Sequence, residues 1–489
     1  MGSGLRRAPQ WLQELMNELT KPPYFLNQTN SPQTDSQRHY TYDESGISED
    51  MDRMRNSSWS SSGNSTSRTQ GTTHRATPSS GNPSSNADNT NNTNNRNKAA
   101  NLKRQPSSAA NAKKPSLAAV KMTPRPAQAT KSKNTTAVKP ESQVDEQTRA
   151  WQAVFRQADY PITLPALYGW NVVSAHRVAN ILRVVTEDGD YALKRTHLPP
   201  ERVAFLQRAL SHVGKNDFTR FASFILSDKD RPYIYLNGDT YYATKWLPGN
   251  HVNFASKTQV GQVAHSLAQY HEASKNFRPS GYLPPSEFRL IRMLRDRTND
   301  LRELIGTAEQ SRNPDSFDRL LAQLGPGLQK DAERSLRLVE TDECREFLEQ
   351  SESEHGLCHL DVIPNNFITD HNHLVWLLDF DLATYAPRVL DLSHLLRRSL
   401  QRSNWDTEMA YTCFLNFNSV RAIPTAEYII VQAMLTFPYQ AWRLTQTRYH
   451  LFRDAQQVQD LDTYAVQETR RQAFLTAYEE QITNLNPAE

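Results

Sequence analysis

The stretch His355-Gly-Leu-Cys-His-Leu-Asp-Val-Ile-Pro-Asn-Asn-Phe-Ile368, followed by Leu377-Leu-Asp-Phe-Asp381, decides the fold. Asp361 and Asn366 stand five residues apart in a short loop, and Asp379 follows the Asn after thirteen more. The apolar runs Phe367-Ile368 and Leu374-Val-Trp-Leu-Leu378 read as two short strands. The polar turn Thr369-Asp370-His371-Asn372-His373 closes them into a hairpin. A hairpin brings its ends together, so the carboxylate and amide before it come to lie beside the carboxylate after it.

Upstream of this stretch the pattern is strand-rich. The run 178–186 and Tyr191-Ala-Leu-Lys-Arg195 flank Asp188-Gly189, a hairpin signal because Gly supplies positive φ. A helix is expected from Pro200, since proline in a first helical turn loses no hydrogen bond. Its apolar stripe is Val203, Leu206, Leu210 and Val213. Two further runs, 232–236 and 240–246, flank Asn237-Gly238, the strongest short hairpin signal in the chain. Lys194 falls on a strand one residue out of phase with Leu193, so it faces away from Leu193's side of the sheet. After Trp246-Leu-Pro-Gly249 the periodicity turns helical. Ser256 with Gln259 reads as a capping box, and helical spacing dominates 286–350 and 389–485.

The N-terminal third is different. Trp11, Leu12, Leu15, Met16 and Leu19 recur at helical spacing, which makes residues 1–20 a short amphipathic helix. So short a helix needs a surface, either on this chain's own C-terminal part or, as a docking segment, on another protein. Residues 21–148 read as a disordered polar and basic linker, because Ser, Thr, Asn, Pro, Ala and Lys cannot bury enough apolar surface to offset the entropy of ordering. Between Arg53 and Lys139 the only acid is Asp88. That stretch has neither aromatic interleaving nor a dense Lys/Arg block, so a solvated tether is favoured over a nucleic-acid interface. A polyanion-binding role of the tail would be recognised by binding that survives deletion of residues 150–489.

The whole chain has 489 residues and a formal charge of +3. Its three cysteines, Cys344, Cys358 and Cys413, form no paired framework, which fits synthesis in a reducing cytoplasm. No apolar run approaches the roughly 18 residues that a membrane span requires, and no signal-peptide core stands at the N-terminus. His355, His371 and His373 lack Cys or acidic companions at ligand spacing and read as surface histidines. Cys358 reads as a small buried residue.

Phosphoryl transfer from a nucleotide needs one Asp to position the attacking hydroxyl, and an Asn and an Asp to hold magnesium on the phosphates. The loop H-x-D-x-x-x-x-N of His359, Asp361 and Asn366, with D-F-D at Asp379 and Asp381, resembles the aminoglycoside phosphotransferase and choline kinase branch of the protein-kinase-like fold. Within that branch, Tyr191-Ala-Leu-Lys-Arg, Leu198-Pro-Pro-Glu-Arg-Val-Ala-Phe-Leu and Leu435-Thr-Phe-Pro-Tyr-Gln-Ala-Trp442 resemble the CotS-type spore coat proteins. The resemblance covers about residues 160–455. It implies an α+β, bilobal fold with a strand-rich N-lobe over 149–246 and a helical C-lobe over 247–489, preceded by the disordered tail. It also implies location in the spore coat, with other coat proteins as partners through the N-terminal helix and linker.

The resemblance assigns roles residue by residue. Lys194 pairs with the α- and β-phosphates of ATP, Asp361 is base or hydroxyl-orienter, and Asn366 and Asp379 are magnesium ligands. His359 braces the loop, Lys245, Trp246 and Leu247 belong to the hinge beside the adenine, and Asp391 ties the following segment to the loop. There are departures. No G-x-G-x-x-G lies between the first strands, only Glu201 and Gln207 stand on the helix that should give Lys194 a partner, and Leu360 replaces a Gly, which disfavours positive φ there. Two readings therefore stay open: an ATP-dependent phosphotransferase, or a catalytically degenerate pseudokinase serving as an assembly module of the coat. The acceptor is not legible, although acids at Asp370, Asp381 and in 389–410 are candidates for binding a cationic one.

Overall fold

The computed structural model describes residues 141–284 and 289–485. The readings for residues 1–20, and for the linker as far as residue 140, lie outside them. The first element, α1 (Glu141–Gln157), extends N-terminal of residue 149. It packs against a sheet whose strands are β1 (Val172–Val178), β2 (Ile181–Thr186), β3 (Asp190–Thr196), β4 (Phe224–Ile225), β5 (Ile234–Leu236) and β6 (Asp239–Lys245). The order is β1-β2-β3-β6-β4, with β5 also on β6, and every pairing is antiparallel. Both hairpin turns form as their residues demand: Gly189 lies at φ 147, and Asn237 and Gly238 at φ 56 and 93. One sheet face buries Leu182, Val184, Leu193 and Ala243 against Phe155, Tyr160 and Leu164. Burying an aliphatic or aromatic side chain fully stabilises by about 1.5–3 kcal/mol, so this patch closes the small lobe.

The helix α2 (Pro200–Lys215) starts at its proline and buries Val203, Leu206, Leu210 and Val213, the stripe read from sequence. The chain then passes to the C-lobe through Gly249, at φ 152, where a Cβ would stand 2.2 Å from Ile368 Cγ2 and 2.6 Å from the Thr369 carbonyl oxygen. Only glycine fits this crossing.

The C-lobe is a helical bundle: α3 (Lys257–Ser274), α4 (Leu290–Glu309), α5 (Ser316–Val339), α6 (Asp342–Ser353), α7 (Val389–Arg402), α8 (Thr407–Asn418), α9 (Thr425–Thr436), α10 (Tyr439–Gln446) and α11 (Gln456–Leu485). None of the described helices is long and apolar enough to cross a membrane. The start of α3 corrects one expectation. Ser256 accepts the Gln259 N–H, but the Gln259 side chain turns back to the Asn253 N–H at 2.6 Å, so half of the capping box is spent on the preceding loop. The chain between α6 and α7 supplies four strands of two small sheets, and the segment before α3 supplies the fifth. β8 (Leu357–Cys358) pairs with β11 (Thr384–Tyr385), and β9 (Phe367–Thr369) lies between β10 (Val375–Leu377) and β7 (Asn250–His251). The lobes are joined again where the Ala222 N–H donates to Leu377 O and the Leu377 N–H to Arg220 O, both at 3.0 Å.

Candidate active site

The β9–β10 hairpin forms, with Leu377 opposite Phe367 and Val375 opposite Thr369, a residue the sequence reading had placed in the turn. Asp370 sets the turn: its carboxylate accepts the N–H groups of Asn372 and Leu374 and the Trp376 indole N–H at 3.0 Å. These bonds hold its carboxyl below the ordinary range. Beyond the hairpin, the Leu378 N–H donates to the Asn366 carbonyl at 2.9 Å. That bond sets Asn366 beside the residue preceding Asp379, the juxtaposition expected from the spacing.

The loop before the hairpin is held from below by Asp391, the first-turn acid of α7 and fully buried. Its carboxylate accepts the His359 N–H at 2.7 Å, the Leu360 N–H at 2.8 Å and His271 Nε2–H at 2.8 Å. Burial alone would raise this carboxyl; the hydrogen bonds from His271 and from the loop backbone outweigh it and hold it low. The clamp explains a correction. Leu360 was expected to disfavour positive φ, yet it sits at φ 65. A left-handed conformation costs a branched residue about 1–2 kcal/mol, less than two charge-assisted hydrogen bonds contribute at about 1.5–3 kcal/mol each. The loop keeps its shape without the glycine.

His359 is buried with its ring between Phe367 and Phe380, and its Nε2–H donates to Leu378 O at 2.7 Å. It touches the loop's own scaffold, which fits bracing better than chemistry. Asp361 is nearly buried and accepts the Asn366 Nδ2–H at 2.7 Å. Burial raises its carboxyl above the ordinary Asp value, with His359, Asn366 and Arg398 pulling the other way and Asp379 reinforcing the rise.

From the opposite lobe Lys194 reaches in. It is paired with Tyr242 across β3–β6, on the face turned away from Leu193. Its Nζ donates to both oxygens of Asp379 at 2.8 Å and lies 2.9 Å from Asp381 Oδ2. Asp381 also accepts the Tyr242 hydroxyl at 2.6 Å. Burial would lower the Lys194 ammonium; Asp379 and Asp381 reverse that and raise it well above its usual value. Burial likewise pushes the Asp379 carboxyl up, and Lys194 overrides it and brings it down. The partner sought at Glu201 or Gln207 is therefore absent from α2: Lys194 is paired across the cleft. What α2 does deliver is Arg202, whose Nη2 donates to Ala383 O at 2.5 Å and fastens the helix to the segment after D-F-D. Arg202 stood in the Leu198–Leu206 phrase without a role attached to it, whereas Tyr242 could have been found as the cross-strand neighbour of Lys194.

At the hinge, the Lys245 N–H donates to Ser223 O at 3.0 Å and the Trp246 N–H to Asp190 O at 2.9 Å. Lys245 is exposed, while Trp246 is half-buried under the Arg183 guanidinium at 5.0 Å. Among the described residues no backbone carbonyl takes the Leu247 N–H. His371 and His373 are exposed and Cys358 is buried, as read from sequence. His271, Cys358 and Asp391 have ligand atoms within 4.8 Å of one another. Asp391 is committed to three donors, and Cys358 Sγ to Ala386 O and Pro387 O at 3.2 Å, so this is a brace under the loop.

The profile of the Phosphotransferase enzyme family matches residues 175–416. An aminoglycoside phosphotransferase from Alicyclobacillus acidocaldarius subsp. acidocaldarius is 39% identical, with a TM-score of 0.62 over 66% of this chain and 96% of that one. A spectinomycin phosphotransferase in complex with ADP and spectinomycin is 12% identical at a TM-score of 0.48, over 67% and 98%. An amicoumacin kinase in complex with AMP-PNP is 14% identical at 0.43, over 69% and 96%; these two superpose too loosely to add to the argument. On the first two findings, the chain belongs to the phosphotransferase enzyme family, with the bilobal kinase-like fold of that family.

Proposed function

We propose that this protein transfers the γ-phosphoryl group of ATP to a hydroxyl acceptor. The observation that carries the reading is the meeting of Lys194, from the N-lobe sheet, with Asp379 at 2.8 Å, next to a loop presenting Asp361 and Asn366. In this reading Lys194 exchanges Asp379 for the α- and β-phosphates when ATP enters, and Leu247 N–H faces the adenine beside Trp246. Asp379 and the Asn366 amide oxygen are hard donors suited to magnesium. The Asn366 Nδ2–H is already turned to Asp361, which leaves the amide oxygen as the free end. Bound magnesium neutralises charge on the β- and γ-phosphates.

Asp361 holds the acceptor hydroxyl and takes its proton as the new P–O bond forms. Its raised carboxyl makes it a better proton acceptor than an ordinary exposed Asp. His359 and Asp391 keep the loop in place. Leu360, one of the three departures behind the degenerate alternative, does not displace the loop. Asp361→Asn tests the assignment: Mg-ATP binding persists and phosphoryl transfer falls by at least a hundredfold. Transfer at the wild-type rate would refute the role of Asp361.

The finer placement, a CotS-type protein of the spore coat, rests on the phrases at Tyr191–Arg195, Leu198–Leu206 and Leu435–Trp442. It is tested by probing coat extracts of purified spores with an antibody, and absence from the extract would refute it.

A further inference from the structure

The acids considered for binding a cationic acceptor are engaged elsewhere: of those in 389–410, Asp391 holds the loop, and Asp406 and Glu408 both meet Lys257. Asp370 holds its own turn, and Asp381 holds Lys194 and Tyr242. The helices behind the catalytic loop present the opposite charge. Arg397 Cζ stands 4.2 Å from the Tyr439 ring centroid, and Arg297 Cζ stands 5.3 Å from the same ring and 4.6 Å from that of Trp442. Two guanidiniums from α7 and α4 thus share one aromatic ring of α10, inside the Phe437-Pro-Tyr-Gln-Ala-Trp442 phrase to which the reaction assigns no role.

Neither Arg297 nor Arg397 makes an ion pair or hydrogen bond with a described residue; Asp300, one turn along α4, feels the charge of Arg297 without pairing with it. Burial would raise the Tyr439 hydroxyl, but Arg297, Arg397, Arg443 and Arg398 outweigh it and hold it below its ordinary value. Burial, then Arg398 next to it, pushes Arg397 down to about 9, and burial with Arg397 and Arg398 pushes the neighbouring His394 down to about 3. The Trp442 Nε1–H is buried and has no acceptor among the described residues.

Half-buried cations without carboxylates are costly to maintain. A stacked aromatic ring offsets only about 0.5–2 kcal/mol of that cost. What Arg297 and Arg397 lack, among the described residues, is an anion. The cluster's place makes the anion relevant to the reaction. α7 begins under the loop, where Asp391 holds the His359 and Leu360 N–H groups, and it carries Arg397 six residues further along. At 1.5 Å of rise per residue, that sets Arg397 roughly 9 Å along the helix from the residue that clamps the loop. The cluster is built wholly from C-lobe helices, whereas Lys194 comes from the N-lobe.

We propose that Arg297 and Arg397 form the anion-binding part of the acceptor site, and that the acceptor is a small hydroxyl compound carrying a phosphate group. The proposal rests on the phosphotransferase reading of the loop. Each guanidinium fork matches two oxygens of a phosphate, and two forks suit a dianion with three oxygens better than a carboxylate with two. In the reaction the acceptor O–H bond breaks and its proton passes to Asp361. The oxygen bonds to the γ-phosphorus, and the bridging P–O bond breaks with its electron pair leaving on ADP. A cationic acceptor such as an aminoglycoside would meet like charge at this cluster.

The test uses the full-length protein in two arms. In the first, inorganic phosphate is titrated at constant ionic strength and the melting temperature is followed, with chloride as control and Mg-ATP in parallel. Saturable stabilisation by phosphate, reduced at least tenfold in apparent affinity by Arg397→Gln, supports the proposal; no response beyond chloride overturns it. If Mg-ATP fails to stabilise the wild type, the phosphotransferase reading falls, and the phosphate response still reports on the arginines alone. In the second arm, glycerol and glycerol 3-phosphate, and glucose and glucose 6-phosphate, are compared as acceptors beside kanamycin, choline and an acidic serine peptide. At least tenfold higher kcat/KM for the phosphate-bearing member of either pair supports the proposal, as does a rise in KM for that member in Arg397→Gln. Preference for kanamycin, choline, the neutral polyols or the peptide overturns it. The wild-type comparisons stand even if the variant does not fold.

Discussion

Replacing Asp391 by Asn removes the charge that holds the catalytic loop and little else, since the two side chains have nearly the same volume. The wild-type carboxylate accepts three hydrogen bonds, from His359 N–H, Leu360 N–H and His271 Nε2–H, at 2.7, 2.8 and 2.8 Å. Its two oxygens satisfy all three donors. An amide offers one oxygen and turns an NH2 group toward the remaining donors, so at least one buried N–H is left without an acceptor. That costs about 1–3 kcal/mol. The bonds that remain lose their charge assistance, about another 1 kcal/mol each. The expected loss is about 3–5 kcal/mol, a large part of the stability of about 5–15 kcal/mol that domains have. The left-handed Leu360 is then no longer secured, and the position of Asp361 relaxes with it.

Urea unfolding at pH 7 measures this directly, as a lower midpoint at unchanged slope. The sign of the pH dependence is fixed as well. The folded-state carboxyl of Asp391 is depressed, so its contribution is present above the unfolded value of about 3.9 and is lost as pH falls through the folded value. The gap between wild type and variant must therefore narrow in acid. A loss under about 1 kcal/mol at pH 7, or a gap that widens as pH falls, would refute the claim that Asp391 clamps the loop.

Four shorter predictions follow from the same geometry. Leu360→Gly relieves about 1–2 kcal/mol of left-handed strain and forfeits about 1.5–3 kcal/mol of apolar burial; urea unfolding should show a net loss near 1 kcal/mol, and a loss above about 3 kcal/mol would mean that the side chain does more than fill space. Gly249→Ala drives a Cβ into Ile368 and the Thr369 backbone and should cost about 2 kcal/mol or more by the same assay; a neutral result would show that the crossing between lobes is slack. Lys194→Met leaves Asp379 and Asp381 facing each other without a cation, so the Asp379 carboxyl, followed by carboxyl-carbon NMR titration, should rise above the ordinary Asp value. Arg397→Gln removes a cation that has no counter-charge, so in phosphate-free buffer its melting temperature should hold or rise; a fall of more than about 5 °C would mark Arg397 as structural.

The meeting of the loop and the hairpin was legible because it is local: Asp361, Asn366 and Asp379 lie within nineteen positions of one another, and the hairpin brings its two ends together. The N-lobe hairpins were legible for a similar reason, since Asp188-Gly189 and Asn237-Gly238 carry their backbone requirement in the residue type. The partner of Lys194 was not, because a strand and a helix adjacent in sequence drew attention to Glu201 and Gln207, while the carboxylates that meet it stand 185 and 187 positions away. The consequence of Leu360 was misjudged for a related reason. A residue's cost at positive φ is local, but the force that overrides it comes from Asp391, some thirty residues on. The arginine cluster was invisible, since Arg297, Arg397 and Tyr439 come from three helices whose spacing carries no common signal.

The central claim is that the cleft between Lys194 and Asp379 is a nucleotide site. Its most direct test is the melting temperature of the full-length protein titrated with ATP and magnesium, alongside Lys194→Met. Ligand that binds only the folded state stabilises it by about 2.7 kcal/mol at a hundredfold excess over Kd. A saturable rise of several degrees that disappears in Lys194→Met is the expected result. No rise at 10 mM Mg-ATP, or a rise of the same size in the variant, would contradict the assignment.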